Sequence, residues 1–308
     1  MQFSVTILGS NSALPTSGKY PTAQVLNASE RFFLIDCGEG TQMQLRKNRI
    51  KFSRINHIFI SHLHGDHCFG LIGLISTYSL LGRTSDLYIY GHSDLEAVFA
   101  PQIKYFCPNL KYNVIFIPVD VEKSEVIFED SAVEVSTIPL LHRKPTCGFL
   151  FKEKERERHI IRDAVDYYKV PVKELPRIKK GGDYISWEGT FVKNSLLTKP
   201  SSPPRSYAFC SDTAFCESIV PLIEGVDMLY HEATFSLSDK KLARETFHST
   251  ASEAAEIALK ANAKKLLIGH FSTRYKDTNL LLNEAKNIFS NVSKATEGDI
   301  FEVPLKFP

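Results

Sequence analysis

The chain predicts an α+β fold interrupted by an inserted arm, and three observations carry that prediction. Short apolar runs ending at Gly or Asp alternate with helix-like stretches through the first third. That rhythm stops between Lys152 and about Pro204. It then resumes at Ser206 and continues to the last long helix. A length of 308 residues suffices to bury one substantial core, read here as a single domain over 1–308 with the arm inside it. Hydrophobic residues make up 43% and charged residues 23%, which excludes the disordered and membrane-embedded classes. No run approaches the roughly 20 apolar residues that a membrane helix requires. Met1 to Ser10 lacks a basic segment followed by an apolar one, so no secretory signal is read there. Cys37, Cys68, Cys107, Cys147, Cys210 and Cys216 are scattered without CxxC spacing, and read as reduced, mostly buried thiols of a cytoplasmic protein.

The elements follow from local pattern. Phe3–Leu8, Arg31–Ile35 and His57–Ile60 are strand-like, and Thr41–Asn48 has helical character between them. Asp66–Leu81 is apolar and Gly-punctuated, which suits a buried helix, and Ser93–Phe106 suits a second. Strands are predicted at Leu87–Tyr90, Val114–Ile117 and Val133–Ile138. Lys152 to Pro204 opens with Lys-Glu-Lys-Glu-Arg-Glu-Arg and closes in a Pro/Ser-rich run, a loop or linker composition. Between Lys152 and Lys199 stand 12 Lys/Arg against 8 Asp/Glu, while the rest of the chain has 25 against 27. The basic excess behind the formal charge of +2 therefore sits in this segment, read as an arm inserted between two core strands. Beyond it, Ser206–Cys210 and Met228–Tyr230 read as strands, with a short helix at Glu217–Glu224. Thr250-Ala-Ser-Glu253 is a capping box opening an Ala-rich helix to Ala261, followed by a strand at Lys265–Gly269 and a helix at Asn279–Phe289.

The chemistry begins at Ser61-His-Leu-His-Gly-Asp-His67, directly after an apolar strand. Three histidines and a carboxylate this close would repel when protonated, and would need many partners if buried neutral. Imidazole and carboxylate together suit borderline cations such as zinc. His62 and His64 lie two apart, so an extended backbone points both to one side. Asp66 and His67 follow where the chain bends into a helix, so they face a second ion beside the first. Three further strands each lead to one ligand-type residue: His142, Asp212 and His270. Ligands on strand ends are held rigidly and converge at one sheet edge. Asp212 is the natural bridge, since one carboxylate offers two oxygens. His231-Glu232 and His248 form a further group, His248 lying beside a helix N-terminus that favours phosphate. A carboxylate such as Glu232 would orient His248, raise its pKa and equip it to protonate a leaving oxygen. A buried polar pair that only tightens the fold is the alternative for those two residues.

His-Leu-His-Gly-Asp-His with later His, Asp and His after strands resembles the metallo-β-lactamase superfamily. Asp36-Cys-Gly-Glu-Gly-Thr-Gln42, Ser211-Asp-Thr213, His231-Glu-Ala-Thr-Phe235, His248-Ser-Thr250 and the Arg274-Tyr275 pair narrow the resemblance to the short form of the ribonuclease Z family. The resemblance implies a four-layer αββα sandwich, two mixed sheets face to face with helices outside. It implies two zinc ions, the first held by His62, His64, His142 and Asp212, the second by Asp66, His67, His270 and the shared Asp212. It makes Asp66 the proton acceptor for the attacking water, and His248 with Glu232 the proton-donor pair. The activity implied is removal of the 3′ trailer from precursor tRNA, leaving a 3′-hydroxyl on the tRNA and a 5′-phosphate on the trailer. The segment 152–199 sits where family members carry a tRNA-gripping arm that acts across a homodimer, with Lys179 and Lys180 in it and Arg274 near the metals as substrate contacts.

Two stretches depart from the family pattern. The arm tip reads Val170-Pro-Val-Lys-Glu-Leu-Pro-Arg-Ile-Lys-Lys-Gly181 in place of a Gly-Pro-rich one. Leu14-Pro-Thr-Ser-Gly-Lys-Tyr-Pro-Thr-Ala-Gln24 replaces a loop of the form Pro-x-Lys-x-Arg-Asn, so rejection of tRNAs bearing CCA is not implied. The same ligand types also suit manganese or iron. Two other readings stay open on sequence: a small phosphodiesterase or arylsulfatase of the same fold, and a non-catalytic RNA-binding module keeping a structural metal.

Overall fold

Alternating large apolar side chains on successive short strands give each sheet two buried faces, and the architecture follows from covering both. The computed structural model describes residues 2–14 and 16–306. One sheet runs in the order Ile300–Glu302, Phe3–Gly9, Ala23–Ala28, Arg31–Ile35, Ile55–Phe59, Leu87–Gly91, Val114–Pro118. Its first four strands pair antiparallel and its last four parallel, so the sheet is mixed. The other runs Val292–Lys294, Leu266–Gly269, Met228–Glu232, Ser206–Cys210, Cys147–Glu153, Val133–Pro139, Val126–Glu129, parallel over its first four strands. Phe33, Phe59 and Tyr90 of the first sheet share one core with Phe149, Phe151, Phe209 and Tyr230 of the second. The outer face of the first sheet packs Leu34, Ile58 and Ile89 against Leu45, Leu74 and Phe99 of the helices Thr41–Lys47, Gly70–Leu80 and Asp94–Phe106. The outer face of the second packs Ala208, Leu229 and Ile268 against Ala254, Ile257 and Leu281 of Ala251–Lys260 and Asn279–Lys286. This is the four-layer αββα sandwich.

Several elements differ from the sequence reading. The expected helix over Asp66–Leu81 is broken into Gly65–Cys68 and Gly70–Leu80. The break places Gly70 against the Asp36 loop: its N–H donates to the Cys37 carbonyl at 2.8 Å, and a Cβ there would lie 2.1 Å from the Gly38 carbonyl oxygen. The short helix after Glu217 is a 3-10 turn, Glu217–Leu222, and the last helix ends at Lys286. Strands at Ala23–Ala28, Val126–Glu129, Cys147–Glu153, Val292–Lys294 and Ile300–Glu302 were not read, nor was the helix Lys240–Thr246. The capping box of Thr250 and Glu253 is formed as predicted. All six cysteines are free, five of them buried. Among the described residues, no helix is long and apolar enough to cross a membrane.

The chain divides into two compact units, one comprising residues up to Lys152 together with Ser206–Val303, the other built on Glu153–Arg205. The second unit holds the helices Arg162–Tyr167, Leu175–Lys179 and Asn194–Leu197 and two short strand pairs. It has its own cluster of Val165, Val170, Ile178, Tyr184, Val192 and Leu197, which is why a segment of loop-like composition folds.

His57 yields a test of the packing. Its ring stacks on Tyr88 at 5.2 Å and meets Phe128 at 4.6 Å, and burial there lowers its pKa from 6.5 to about 4. The folded state therefore resists a proton that the unfolded chain accepts, so stability falls as pH drops from about 6.5 towards 4 and is unaffected by this group above that window. His57→Phe should flatten that part of the profile. Melting temperatures of the two proteins at pH 7.5 and pH 5 check it, and parallel curves would refute the assignment.

Candidate metal centre

The site is built at one edge, where parallel strands of both sheets stop. Arg31–Ile35 ends in Asp36, and its neighbour Ile55–Phe59 runs through Ile60 and Ser61 into the His62–His67 loop. In the second sheet, Ser206–Cys210, Met228–Glu232 and Leu266–Gly269 lie side by side and deliver Asp212, Glu232 and His270. Val133–Pro139 leads to His142. All seven ligand-type residues singled out in the sequence meet here: His62, His64, His142 and Asp212 lie together, Asp66, His67 and His270 lie together, and Asp212 and His270 also group with His248.

The first set is His62, His64, His142 and Asp212. His62 Nε2 and His142 Nε2 lie 2.9 and 3.3 Å from His64 Nδ1, and 3.6 and 3.7 Å from Asp212 Oδ2. The second set is Asp66, His67 and His270 with the other oxygen of Asp212. His67 Nε2 and His270 Nε2 lie 3.4 and 3.4 Å from Asp66 Oδ2, and 3.2 and 3.1 Å from Asp212 Oδ1. Ligands at about 2.0–2.2 Å from a tetrahedral zinc sit roughly 3.3–3.6 Å from one another. The quoted distances straddle that spacing, from 2.9 to 3.7 Å in the first set and from 3.1 to 3.4 Å in the second. His67 Nε2 is buried without a hydrogen-bond partner, an orphan that a cation would satisfy.

Each ring is aimed by its other nitrogen. His67 Nδ1 pairs with Asp36 Oδ2 at 2.7 Å, and Asp36 also accepts from Ser61 N and Ser61 Oγ at 2.8 and 2.9 Å. His142 Nδ1 donates to the Phe247 carbonyl at 2.9 Å, and His270 Nδ1 meets Thr234 Oγ1 at 2.8 Å. Such outer partners fix tautomer and orientation. Asp36 and Thr234 stand in motifs quoted from the sequence but carry no role there, and Phe247 has no sequence signal. Asp36 offers a second clue, since it too ends a strand.

The electrostatics call for a cation. Burial opposes charge on His67, yet Asp212, Asp66 and Asp36 around it hold its pKa well above the usual imidazole range. Burial likewise opposes charge on Asp212, and the His270, His67 and His62 rings keep its carboxyl well below its usual range. The metal-free protein thus keeps a proton where an ion belongs, and metal binding would release it.

Beside the two sets, His248 Nδ1 lies 2.8 Å from Glu232 Oε1. Glu232 is fully buried and also accepts from Thr213 N at 2.8 Å and Thr234 Oγ1 at 2.6 Å. Burial alone would lower the His248 pKa; the Glu232 carboxylate outweighs it and raises the value to about 9. The helix N-terminus beside His248 is not a phosphate cradle, contrary to the sequence reading. Two of its donors are engaged, Ala251 N by the Phe235 carbonyl at 2.9 Å and Glu253 N by Thr250 Oγ1 at 3.2 Å, and the Glu253 carboxylate already stands at that end. An open cavity of about 520 Å³ exposes His64, Asp66, His142, His248 and His270, with Leu14, Arg143 and Phe235 on its rim. Arg274 stacks 5.2 Å over Phe235 and pairs with Asp239 at 3.3 Å. Lys179 and Lys180 belong to the second unit, where with Arg156 and Arg158 they line a cavity of about 660 Å³.

Two facing mixed sheets carrying a His/Asp metal-binding site at their edge define a metallo-β-lactamase-fold protein. The metallo-β-lactamase-fold protein YhfI of Bacillus subtilis superposes with a TM-score of 0.68 at 19% identity, over 98% of this chain and 100% of that one. The family model of the anti-Pycsar protein Apyc1 matches residues 3–155, the stretch holding Asp36, the histidine loop and His142. The ribonuclease Z of Bacteroides fragilis is 56% identical over 296 residues, 96% of this chain and 97% of that protein. Human tRNase Z, short form, superposes with a TM-score of 0.70 at 27% identity, over 98% of this chain and 99% of that one. The chain belongs to the ribonuclease Z family and is a hydrolytic enzyme of that family.

The Asp36 contact gives a prediction. Asp36→Asn keeps the shape but turns an acceptor into a donor facing His67 and Ser61. Metal affinity of the second set should fall roughly 10- to 100-fold, with the first set spared. Competition with a chromogenic chelator measures it; an unchanged affinity would remove Asp36 from the account.

Proposed function

We propose that this enzyme cleaves precursor tRNA with two zinc ions, one in each set, and uses its own Asp66, His248 and Glu232 to manage protons. The spacing of the two sets around the shared Asp212 supports the reading most strongly. Zinc so held lowers the pKa of bound water towards about 7 and offsets charge on the non-bridging phosphoryl oxygens. The neighbouring His67 keeps Asp66 ionised despite its burial; in this reading Asp66 is the acceptor for the proton of the attacking water. His248, protonated through Glu232, faces the same cavity and donates its proton to the departing 3′ oxygen. The products are a tRNA ending in a 3′-hydroxyl and a trailer beginning with a 5′-phosphate. The same donor set also suits manganese or iron.

The unit Glu153–Arg205, with the basic excess of Lys152–Lys199, serves as the tRNA-gripping arm in this reading, Lys179 and Lys180 contacting phosphates. The assembly implied is a homodimer. A small-ester hydrolase would need no such arm, and the ribonuclease Z relatives do not favour it.

Three outcomes test the reading. Asp66→Ala should abolish cleavage of precursor tRNA. His248→Ala should keep its zinc while RNA turnover falls about 10²-fold or more. The loss should be smaller on bis(p-nitrophenyl) phosphate, whose leaving group needs no proton; equal losses on both substrates, or loss of metal, would exclude the proton-donor role. Deleting 153–205 with a short linker should collapse tRNA cleavage and spare the chromogenic diester. Full tRNA cleavage without the segment would remove the arm from the mechanism.

A further inference from the structure

Phe247 occupies a backbone conformation that its side chain disfavours, at φ 59° and ψ 46°. Helix Lys240–Thr246 ends on it, with Phe247 N–H donating to the Arg244 carbonyl at 3.3 Å and His248 N–H to the Ala243 carbonyl at 2.8 Å. Helices that close this way usually place Gly there, because a Cβ collides in the left-handed region. Arg49, Lys169 and Asn262 close helices in the same region, and what sets Phe247 apart from them is what its backbone touches.

Two contacts distinguish it. The Phe247 carbonyl accepts from His142 Nδ1 at 2.9 Å, leaving His142 Nε2 to face His64 and Asp212. The next residue is His248, whose ring lies 5.1 Å from that of His142. Arg143 joins the same two loops from the other side. Its guanidinium lies 5.9 Å from the Phe247 ring and donates to the Glu245 carbonyl.

We propose that Phe247 is a positioning residue for both halves of the reaction: its left-handed backbone turns His142 towards the first metal and sets His248 as proton donor, with Arg143 latching the two loops together. The proposal rests on the roles given to His142 and His248 above. It implies that what matters at position 247 is the backbone conformation, with the ring contributing only through Arg143. A glycine would then serve nearly as well, and a β-branched residue, excluded from that conformation, would not.

The test compares Phe247→Gly, Phe247→Ala and Phe247→Val. Zinc affinity of the first set is read by chelator competition in a His270→Ala background, and that of the second set in a His62→Ala background. Expected is a first-set affinity within about threefold of the parent for Phe247→Gly and at least tenfold weaker for Phe247→Val, the second set staying within threefold for both. In the otherwise unaltered chain, Phe247→Val should lose more turnover on precursor tRNA than on bis(p-nitrophenyl) phosphate. The proposal is overturned if valine matches the parent, if both sets weaken together, or if glycine is as damaging as valine. Should the valine variant fail to fold, alanine carries the comparison: because alanine bears the same Cβ as phenylalanine, first-set affinity within about threefold of the parent for both alanine and glycine supports the proposal, and a loss of tenfold or more in either overturns it. Absence of zinc from both single-set backgrounds would instead defeat the two-metal reading itself, and this inference with it.

Discussion

The position of one carboxylate, Asp212, governs the rest of the site. Its Oδ2 faces His62 and His142 at 3.6 and 3.7 Å, and its Oδ1 faces His67 and His270 at 3.2 and 3.1 Å. The two oxygens of a single carboxylate are a fixed, short distance apart, so the spacing of the two sets is set by covalent geometry rather than by packing. Cations held by the two sets would both draw on Asp212 and would offset negative charge on a phosphoryl group. A carboxylate buried this deeply needs a compensating positive charge or hydrogen bonds. In the free protein the His67 ring, held well above the usual imidazole range by the surrounding carboxylates, stands 3.2 Å from Oδ1.

Holding these groups at a sheet edge requires backbone that a strand cannot provide. Within a strand, side chains alternate between the two faces, and neither alternative points along the strand into the edge. Asp36, Asp212 and His270 all leave their strands in the left-handed region, at φ 55°, 55° and 59°. That conformation costs a non-glycine residue on the order of 1–2 kcal/mol. Asp and His tolerate it better than most residues. The parallel pairing of the strands just before them holds each turn in place, so the strain is spread over a rigid base. Phe247, beside them at the end of a helix, shares the conformation at φ 59° and is less suited to it than Asp or His.

What was legible in the sequence divides along the same line. The His62–His67 loop was legible because its ligands are neighbours in the chain. His142, Asp212 and His270 were legible because each follows an apolar run whose end can be seen. Asp36 carries the same strand-end mark, but its partner His67 is 31 residues away, and only the pairing of Arg31–Ile35 with Ile55–Phe59 brings them together. The strand Ala23–Ala28 went unread because it is buried on both faces and carries Gln24 and Asn27 within it, which erases the alternation. The break at Phe69 was hidden for a similar reason. It answers to the approach of Gly70 to Gly38, a contact across the fold that no local propensity records.

The segment Glu153–Arg205 forms a unit of its own, separate from the strands that carry the candidate metal centre. Lys152 and Ser206 are register partners in adjacent antiparallel strands, so the segment between them leaves and re-enters the sheet at one point. Just beyond, Glu153 and Arg205 form a buried pair, Arg205 Nε meeting Oε2 and Nη2 meeting Oε1, both at 2.8 Å, with Arg205 N–H donating to Oε2 at 3.1 Å. A bidentate buried pair is stronger in geometric definition than in net stability. Its effect is to fix the neck of the arm unit. The unit beyond that neck is closed on its own apolar cluster, and the Val170–Gly181 tip that departs from the family pattern lies wholly within it. Val170 and Ile178 of that stretch are members of the cluster, whereas the seven ligand-type residues stand on the other unit. The packing of the segment and the geometry of the candidate metal centre thus rest on different side chains.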